Sequence, residues 1–107
     1  MKRDFKKLSH VEAKKIMDTE KDIVILDVRE PDEIEEGYID GAIFIPNGDI
    51  SLKAESVIFD KHKKILVYCR SGKRSKEACE KLLELGYDNV FDFGGIMDWP
   101  FEIVMWV

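Results

Sequence analysis

The residues best suited to chemistry surround Cys69, which follows an apolar run at residues 65–68 and opens a basic loop that contains glycine. The apolar run predicts a buried strand, and the helical spacing of residues 75–85 predicts a helix after a tight turn at residues 69–74. Such a turn directs successive backbone N–H groups, together with the positive end of the helix dipole, toward one point. Because an anion cradle of this kind favours a thiolate over a thiol, we expect Cys69 to be a nucleophile.

The charge around Cys69 is opposite in sign to the charge of the whole chain. The 107 residues carry a formal net charge of -5. Residues 70–76 nevertheless contain four cations and no carboxylate, namely Arg70, Lys73, Arg74 and Lys76. A local excess of positive charge attracts anions, so the loop predicts an anionic substrate.

Five segments, in this order along the chain, resemble the sequence motifs of rhodanese (sulfurtransferase) domains. They are Asp27-Val28-Arg29-Glu30, Gly37-Tyr38-Ile39-Asp40-Gly41-Ala42, Ile45-Pro46, the loop Cys69-Arg70-Ser71-Gly72-Lys73-Arg74, and Gly94-Gly95 with Trp99. Two departures occur, since Tyr38 stands where the family often has histidine, and Pro100 follows Trp99 where relatives usually have several more residues first. Neither departure lies in the loop, and the sequence is identified as a member of this family.

The resemblance implies a rhodanese-like α/β sandwich, with a mostly parallel central sheet flanked by helices, as a single domain over residues 1–107. It also implies a sulfurtransferase in which Cys69 takes the sulfane sulfur of an anionic donor such as thiosulfate and holds it as a persulfide. A thiol, cyanide or a protein would then accept the sulfur, with no cofactor and no metal. The donor would be bound by the loop residues Arg70, Ser71, Gly72, Lys73 and Arg74.

Three further residues are expected to support the loop. Asp27 follows a buried strand at its carboxyl end, where open α/β sheets form their sites. Asp27 could act as a general base, but we favour a structural role, in which it accepts backbone N–H bonds or pairs with Arg29. Ser75 is expected to add a hydrogen bond or to cap the helix that follows the loop.

Two other functions compete with sulfur transfer. Cysteine phosphatases and arsenate reductases of the same fold also place a cysteine and an arginine at the two ends of a cradle. Phosphatases of that type have five residues between the two, whereas four separate Cys69 from Arg74, and the smaller ring suits one sulfur atom better. The other alternative is a non-catalytic rhodanese-like binding module, which would have no need of a cysteine in a basic loop.

The elements that must position the loop alternate between strand and helix, which favours an α/β fold with a mostly parallel sheet. Strands are predicted at residues 5–8, 23–26, 43–45, 65–68 and 90–93, and those at 23–26, 43–45 and 65–68 are expected to be buried. Helices are predicted after Ser9 and at residues 32–36, 52–59 and 75–85. The first helix is predicted to bury Val11, Ile16 and Met17. The third helix is predicted to bury Leu52, Val57, Ile58 and Phe59. Cys79 is expected in the core, and His10 and His62 at the surface.

Composition argues against several other classes of protein. No stretch approaches the roughly 18 apolar residues of a membrane span, and no signal-peptide pattern follows the basic start at residues 1–7, so a cytoplasmic protein is expected. An acidic chain whose basic cluster lacks interleaved aromatic residues argues against nucleic acid, and no zinc-ligand spacing is present. The apolar tail at residues 101–107 is expected either to pack against the body or to form a dimer or partner surface, so monomer and homodimer stay open.

Overall fold

The computed structural model describes residues 4–105. Within this range the chain forms five strands, β1 at Lys6–Lys7, β2 at Ile23–Asp27, β3 at Ile43–Phe44, β4 at Lys64–Cys69 and β5 at Val90–Gly95. In the same range it forms four α-helices, α1 at His10–Thr19, α2 at Pro31–Ile34, α3 at Ile50–Val57 and α4 at Lys73–Glu84. Short 3-10 turns lie at Asn47–Asp49 and Ile96–Asp98. The predicted alternation of strands and helices is confirmed.

The central sheet has the strand order β1-β5-β4-β2-β3, and each of these neighbouring pairs is parallel. Strand β4, which ends at Cys69, lies in the middle of the sheet. The carboxyl end of β4 therefore lies beside the carboxyl ends of β2 and β5. Parallel α/β sheets form their sites at this end of the strands. The predicted parallel sheet is confirmed.

The side chains of β4 alternate between two hydrophobic clusters, one on each face of the sheet. Ile65, Val67 and Cys69 pack in the cluster that contains α3 and α4, and Leu66 and Tyr68 pack in the cluster that contains α1. This period of two is typical of a strand that is covered on both faces. Cys69 consequently lies on the face of the sheet that α4 covers.

The predicted buried face of α3 was wrong. The helix begins at Ile50, directly after the 3-10 turn and two residues earlier than predicted. Ile50, Ala54 and Ile58 recur every four residues, and all three are buried against the sheet. Three of the residues predicted to be buried are exposed instead, namely Leu52, Val57 and Phe59.

Helix α1 begins as predicted, with a capping box in which the side chains of Ser9 and Glu12 bond each other's backbone N–H groups. Ala13 is the buried residue of this helix, and Ile16 and Met17 are partly buried in the same cluster. The prediction for Val11 was wrong, and its side chain is exposed. Two residues turn a helix by about 200°, so Val11 lies on the face opposite Ala13.

Two other aromatic side chains differ from prediction. His10 is half-buried and lies edge-on to Trp99, with ring centroids 5.2 Å apart. Phe44 was expected in a buried strand, but it is partly exposed because β3 lies at the edge of the sheet. His62 is exposed as predicted, and its Nδ1 atom lies 2.6 Å from Oδ2 of Asp88.

The apolar tail contacts the body at Tyr38 and Gly37, although the side chains of Ile103 and Met105 remain largely exposed. Tyr38 and Val104 exchange two backbone hydrogen bonds, of 2.9 and 2.7 Å, in an antiparallel bridge. The side chain of Ile103 packs over Gly37. Residues 1–3 of the basic start and residues 106–107 of the tail lie outside the described residues. Among residues 4–105, none of the helices combines the length and the apolar character that crossing a membrane would need.

The loop after β4 lies directly on the end of β5. The register between these strands shifts after Val67, so that Cys69 pairs with Gly95. A Cβ atom at Gly95 would lie 2.1 Å from the carbonyl oxygen of Arg70 and 2.7 Å from the Cα atom of Ser71. Both contacts are with backbone, which cannot rotate away as a side chain can. Gly95 therefore allows the loop to sit against the sheet.

An ion pair ties the short helix α2 to α4. Glu33 accepts hydrogen bonds from Nη1 and Nη2 of Arg74 at 2.6 and 2.7 Å, and its Oε1 atom also accepts one from the backbone N–H of Glu30. The hydrogen bonds from Arg74 lower the pKa of Glu33 to about 2. This pair holds the beginning of α4 beside the segment that follows β2.

We expect Gly95→Ala to destabilise the fold by about 1–3 kcal/mol, because the added methyl group overpacks against backbone atoms. Urea unfolding monitored by circular dichroism would measure the change. Gly48→Ala is the matched control, since a Cβ atom at Gly48 meets nothing within 4 Å, and it should change the free energy of unfolding by less than about 0.5 kcal/mol. Equal effects of the two substitutions would contradict the close packing at Gly95.

The contribution of Glu33 to stability should depend on pH. Because its pKa in the folded protein lies below the ordinary value of 4.5, the stabilisation is complete above about pH 4.5 and is lost as the pH falls toward 2. We expect Glu33→Gln to lower the free energy of unfolding by about 1–2 kcal/mol at pH 7, with partial exposure taken into account, and by less at lower pH.

Urea midpoints between pH 7 and pH 3 test this expectation. The glutamine oxygen can still accept the N–H bond of Glu30, so the variant removes the charge and keeps the local turn. Glu35→Gln, which alters an exposed neighbour, is the matched control. A destabilisation by Glu33→Gln that stays constant with pH would be incompatible with a charge-dependent role.

Candidate active site

Cys69 occupies the last position of β4 and is fully buried. The alternation of side chains along the strand directs it to the face covered by α4. The backbone N–H group of Gly72 donates a hydrogen bond to its Sγ atom, with a nitrogen–sulfur distance of 3.0 Å. A backbone donor thus contacts the sulfur atom that the sequence marks as a nucleophile.

A short turn connects Cys69 directly to α4. Arg70 and Ser71 are exposed in this turn, and Gly72 has a φ angle of 103°, a left-handed conformation that favours glycine. The helix therefore begins at Lys73, and its N-cap is Gly72. The predicted capping role of Ser75 was wrong, because the left-handed glycine starts the helix before Ser75 is reached.

The N-terminus of α4 lies beside the sulfur atom, since the N-cap residue itself provides the N–H group on Sγ. The first N–H groups of a helix have no partners within the helix, and they form its positive end. The first turn of α4 contains no acidic side chain that would offset this charge. The start of α4 therefore directs the positive end of the helix toward the sulfur atom of Cys69.

The three cations of the loop differ in their surroundings. Arg70 and Lys73 are exposed, and neither belongs to an ion pair within residues 4–105. Arg74 is half-buried, and both of its Nη atoms bind Glu33. Hydrogen bonding to Glu33 raises the pKa of Arg74. An incoming anion would thus meet two exposed cations and one that is already paired.

Asp27 and Arg29 form a buried ion pair at the carboxyl end of β2, with the two side chains 0% and 3% exposed. The carboxylate of Asp27 accepts hydrogen bonds from the backbone N–H of Arg29 and from its guanidinium group, the shortest at 2.7 Å. Arg29 also donates to the carbonyl oxygens of Gly37 and Glu33, at 2.8 and 3.2 Å. The pair therefore fixes residues 29–37, which lie beside the loop.

Tyr68 holds the next turn, a role that the sequence analysis missed. Its hydroxyl oxygen accepts a hydrogen bond from the backbone N–H of Ile39 at 3.1 Å. Burial raises the pKa of Tyr68 far above its ordinary value, and the nearby charge of Asp27 adds to the effect. The sequence signal was a tyrosine in an otherwise aliphatic strand, because a buried hydroxyl group requires a partner.

Asp92, which was also missed, lies in β5 next to the first turn of α4. Its Oδ1 atom accepts hydrogen bonds from Oγ of Ser75 at 2.8 Å and from the backbone N–H of Gly94 at 2.9 Å. Oγ of Ser75 also lies 3.0 Å from the carbonyl oxygen of Gly72. A carboxylate inside an otherwise apolar predicted strand was the available signal, since buried charges are rare without partners.

A cleft of about 200 Å³ adjoins the loop at Arg70. Its apolar wall includes Ile96, Met97 and Ile103. Sites for drug-sized ligands begin at roughly 300 Å³, so this cleft suits a smaller molecule. Arg70 and Glu36 bring opposite charges to its lining.

The second cysteine, Cys79, is fully buried in the cluster that also contains Cys69. Burial raises the pKa of Cys79 far above its ordinary value, so it stays a neutral thiol. Its predicted place in the core is confirmed. Over the described part of the chain, no group of histidine, cysteine, aspartate or glutamate side chains is arranged to hold a metal ion.

Comparison with known proteins agrees with the motifs around this site. Residues 9–100 match the family described as Rhodanese-like domain. The putative sulfurtransferase YtwF of Bacillus subtilis is 37% identical over 99 residues, which cover 92% of this chain and 94% of the relative. The thiosulfate sulfurtransferase GlpE of Coxiella burnetii is 35% identical over 96 residues, which cover 89% of this chain and 87% of the relative.

Solved structures show the same relationship. A rhodanese-related protein from Thermoplasma volcanium superposes with a TM-score of 0.82 at 30% sequence identity, and the match covers 95% of this chain and 100% of that chain. The predicted rhodanese-like sandwich is therefore confirmed. Because the family match spans most of the chain and agrees with the fold, this protein belongs to the rhodanese-like domain family.

Proposed function

We propose that this protein is a sulfurtransferase that moves a sulfane sulfur from a small anionic donor to a nucleophilic acceptor through a persulfide on Cys69. The observation that carries the proposal is the hydrogen bond from the Gly72 N–H group to the sulfur atom, made at the N-terminus of α4. A backbone donor and a positive helix end both stabilise a sulfur anion, whether it is a thiolate or a persulfide. Relatives named sulfurtransferases support the same reaction.

The reaction would proceed in two steps. In the first, the Cys69 thiolate attacks the outer sulfur of thiosulfate, the sulfur–sulfur bond of the donor breaks, and sulfite leaves with the bonding electron pair. In the second, a thiol, cyanide or protein nucleophile attacks the terminal sulfur of the persulfide, and the electron pair returns to Cys69. No oxidant, reductant or cofactor is required, and the Gly72 N–H group would stabilise the negative sulfur in both steps.

Donor binding is assigned to the loop residues 70–74. Arg70 and Lys73 would attract and orient the anionic end of the donor, Ser71 would add a backbone N–H group, and Gly72 would act on the reacting sulfur atom. Arg74 would add positive charge at the end of the loop, with its guanidinium group paired to Glu33. The name thiosulfate sulfurtransferase given to GlpE supports thiosulfate, or an anion like it, as the donor.

Phosphoryl transfer fits the site less well. Four residues separate Cys69 from Arg74, which makes a small ring, and the guanidinium group that would have to bind phosphoryl oxygens is engaged by Glu33. A non-catalytic binding module is disfavoured because it would need neither the cysteine nor a donor on its sulfur. We further propose that residues 1–107 act as one domain, which the family match over residues 9–100 supports.

Thiosulfate should add the mass of one sulfur atom to the reduced protein, and cyanide or a thiol should restore the original mass. The physical reason is that the Gly72 N–H group and the helix N-terminus stabilise a persulfide anion on Cys69. Intact-mass spectrometry measures both changes. Cys69→Ser should give no adduct, whereas Cys79→Ala, which alters only the buried thiol, should give the same adduct as the wild type.

An aryl phosphate provides the opposing assay. Brisk hydrolysis that depends on Cys69, without a sulfur adduct from thiosulfate, would favour a phosphatase instead. Absence of both reactions in folded, reduced protein, with inorganic polysulfide as a second donor, would favour a binding module.

Neutralising Lys73 should weaken donor binding and leave turnover nearly unchanged. The side chain is exposed and has no ion-pair partner within residues 4–105, so Lys73→Met should raise KM for thiosulfate by up to about fivefold, the equivalent of ~1 kcal/mol. Steady-state kinetics at low ionic strength would separate KM from kcat. Lys21→Met removes the same charge at the opposite end of the sheet and is the control. A large fall in kcat with unchanged KM would mean that Lys73 acts on the transition state.

A further inference from the structure

The buried carboxylate of Asp92 has no part in the reaction described above. Only 6% of the residue is exposed, and no cation pairs with it among residues 4–105. A buried charge of this kind is costly unless hydrogen bonds replace its lost hydration. Its two donors, the Ser75 hydroxyl and the Gly94 N–H group, both belong to segments that contact the loop after Cys69.

The first donor connects Asp92 to the N-terminus of α4. Ser75 is the third residue of the helix, and its Oγ atom lies within hydrogen-bonding distance of both Asp92 and the carbonyl oxygen of Gly72. A hydroxyl group has one proton, and a carboxylate is the stronger acceptor, so we assign the proton to Asp92. This bond holds the first turn of α4 against β5. It thereby holds Gly72, whose N–H group donates to the sulfur of Cys69.

The second donor, the Gly94 N–H group, connects Asp92 to the two glycines on which the loop lies, Gly94 and Gly95. Gly94 has a φ angle of 92°, and its N–H bond to Asp92 fixes the turn that leads into Gly95. Gly95 is the residue whose Cα faces the backbone of Arg70. Gly94 itself approaches Gly72, since a Cβ atom built on Gly72 would lie 3.5 Å from the Cα atom of Gly94. One carboxylate oxygen therefore holds the loop from two sides.

We propose that Asp92 is a positioning residue for Cys69, acting through Ser75 and Gly94 to hold the Gly72 N–H group on the reacting sulfur. The consequence for catalysis rests on the proposed sulfur transfer, whereas the geometry concerns the thiol alone. Asp92 pairs with Val67, two residues before Cys69 and on the same face of the sheet. Its negative charge opposes a thiolate nearby, while the position that it maintains favours one. The charge of Asp92 and the position that it maintains thus have opposite effects on the stability of the Cys69 thiolate. Substitutions can therefore distinguish the two effects.

Alkylation of Cys69 by iodoacetamide, measured against pH without a sulfur donor, tests the positioning role. The Cys79→Ala background ensures that one thiol reacts. The midpoint of the pH profile is the readout, because a loosened loop also changes access to the sulfur. Asp92→Ala removes the acceptor, and the midpoint should move to higher pH by about one unit, a tenfold loss of thiolate stabilisation. Asp92→Asn keeps an acceptor oxygen in place, and the midpoint should stay at the wild-type value or move lower.

Two further variants complete the test. Ser75→Ala removes one of the two bonds and should move the midpoint in the same direction as Asp92→Ala, by a smaller amount. Leu82→Val truncates another buried residue of α4, destabilises the same helix and should leave the midpoint unchanged. Circular dichroism would verify that each variant is folded.

The proposal would be overturned if the midpoint moved to lower pH in both Asp92→Ala and Asp92→Asn. In that case only the charge of Asp92 would act on Cys69. If Asp92→Ala does not fold, a wild-type midpoint in Ser75→Ala would overturn it equally. Persulfide formation is measured separately by intact mass. The variants could show the expected order of midpoints while the wild-type protein forms no persulfide. That result would reject the proposed sulfur transfer and support the positioning role of Asp92.

Discussion

The arrangement of the site depends on the close contact between Gly95 and the backbone of Arg70 and Ser71. The register between β4 and β5 shifts by one residue just before this point, which brings Gly95 opposite Cys69. With no side chain between them, the loop can lie on the strand and turn at once into α4. The turn is therefore short enough for the N-cap residue of the helix to donate its N–H group to the cysteine sulfur.

Three polar contacts hold the chain around this turn, and each compensates its charges differently. Asp27 and Arg29 form a buried pair in which two backbone carbonyl oxygens accept further guanidinium hydrogen bonds. Glu33 and Arg74 form a partly exposed pair between two helices, which is weaker but links the loop to the opposite side of the site. Asp92 relies on hydrogen bonds alone. Its role is consequently more dependent on geometry than that of either ion pair.

The sequence predicted those features that arise from local patterns. Continuous apolar runs revealed the central strands, and the capping box at Ser9 gave the start of α1, because these signals lie within a few adjacent residues. The contacts of Glu33 with Arg74 and of Ser75 with Asp92 span 41 and 17 positions, and neither has a periodic signature. The buried face of α3 was missed for a related reason. The helix begins at Ile50, outside the predicted range, so the repeat of Ile50, Ala54 and Ile58 that forms the buried face was not recognised.

Charge alone does not choose between sulfur and phosphoryl chemistry at this site. Thiosulfate and a phosphate monoester are both small anions with about two negative charges, so exposed cations such as Arg70 and Lys73 would attract either one. Exposed charges also act through water, where each contributes at most about 1 kcal/mol. The difference must therefore come from the shape of the loop. Four residues bring Gly72 close enough to bond the sulfur itself, and Glu33 occupies the guanidinium group that a phosphoryl group would need. In the proposed reaction, the pairing of Glu33 with Arg74 would therefore contribute to the choice of sulfur over phosphoryl chemistry.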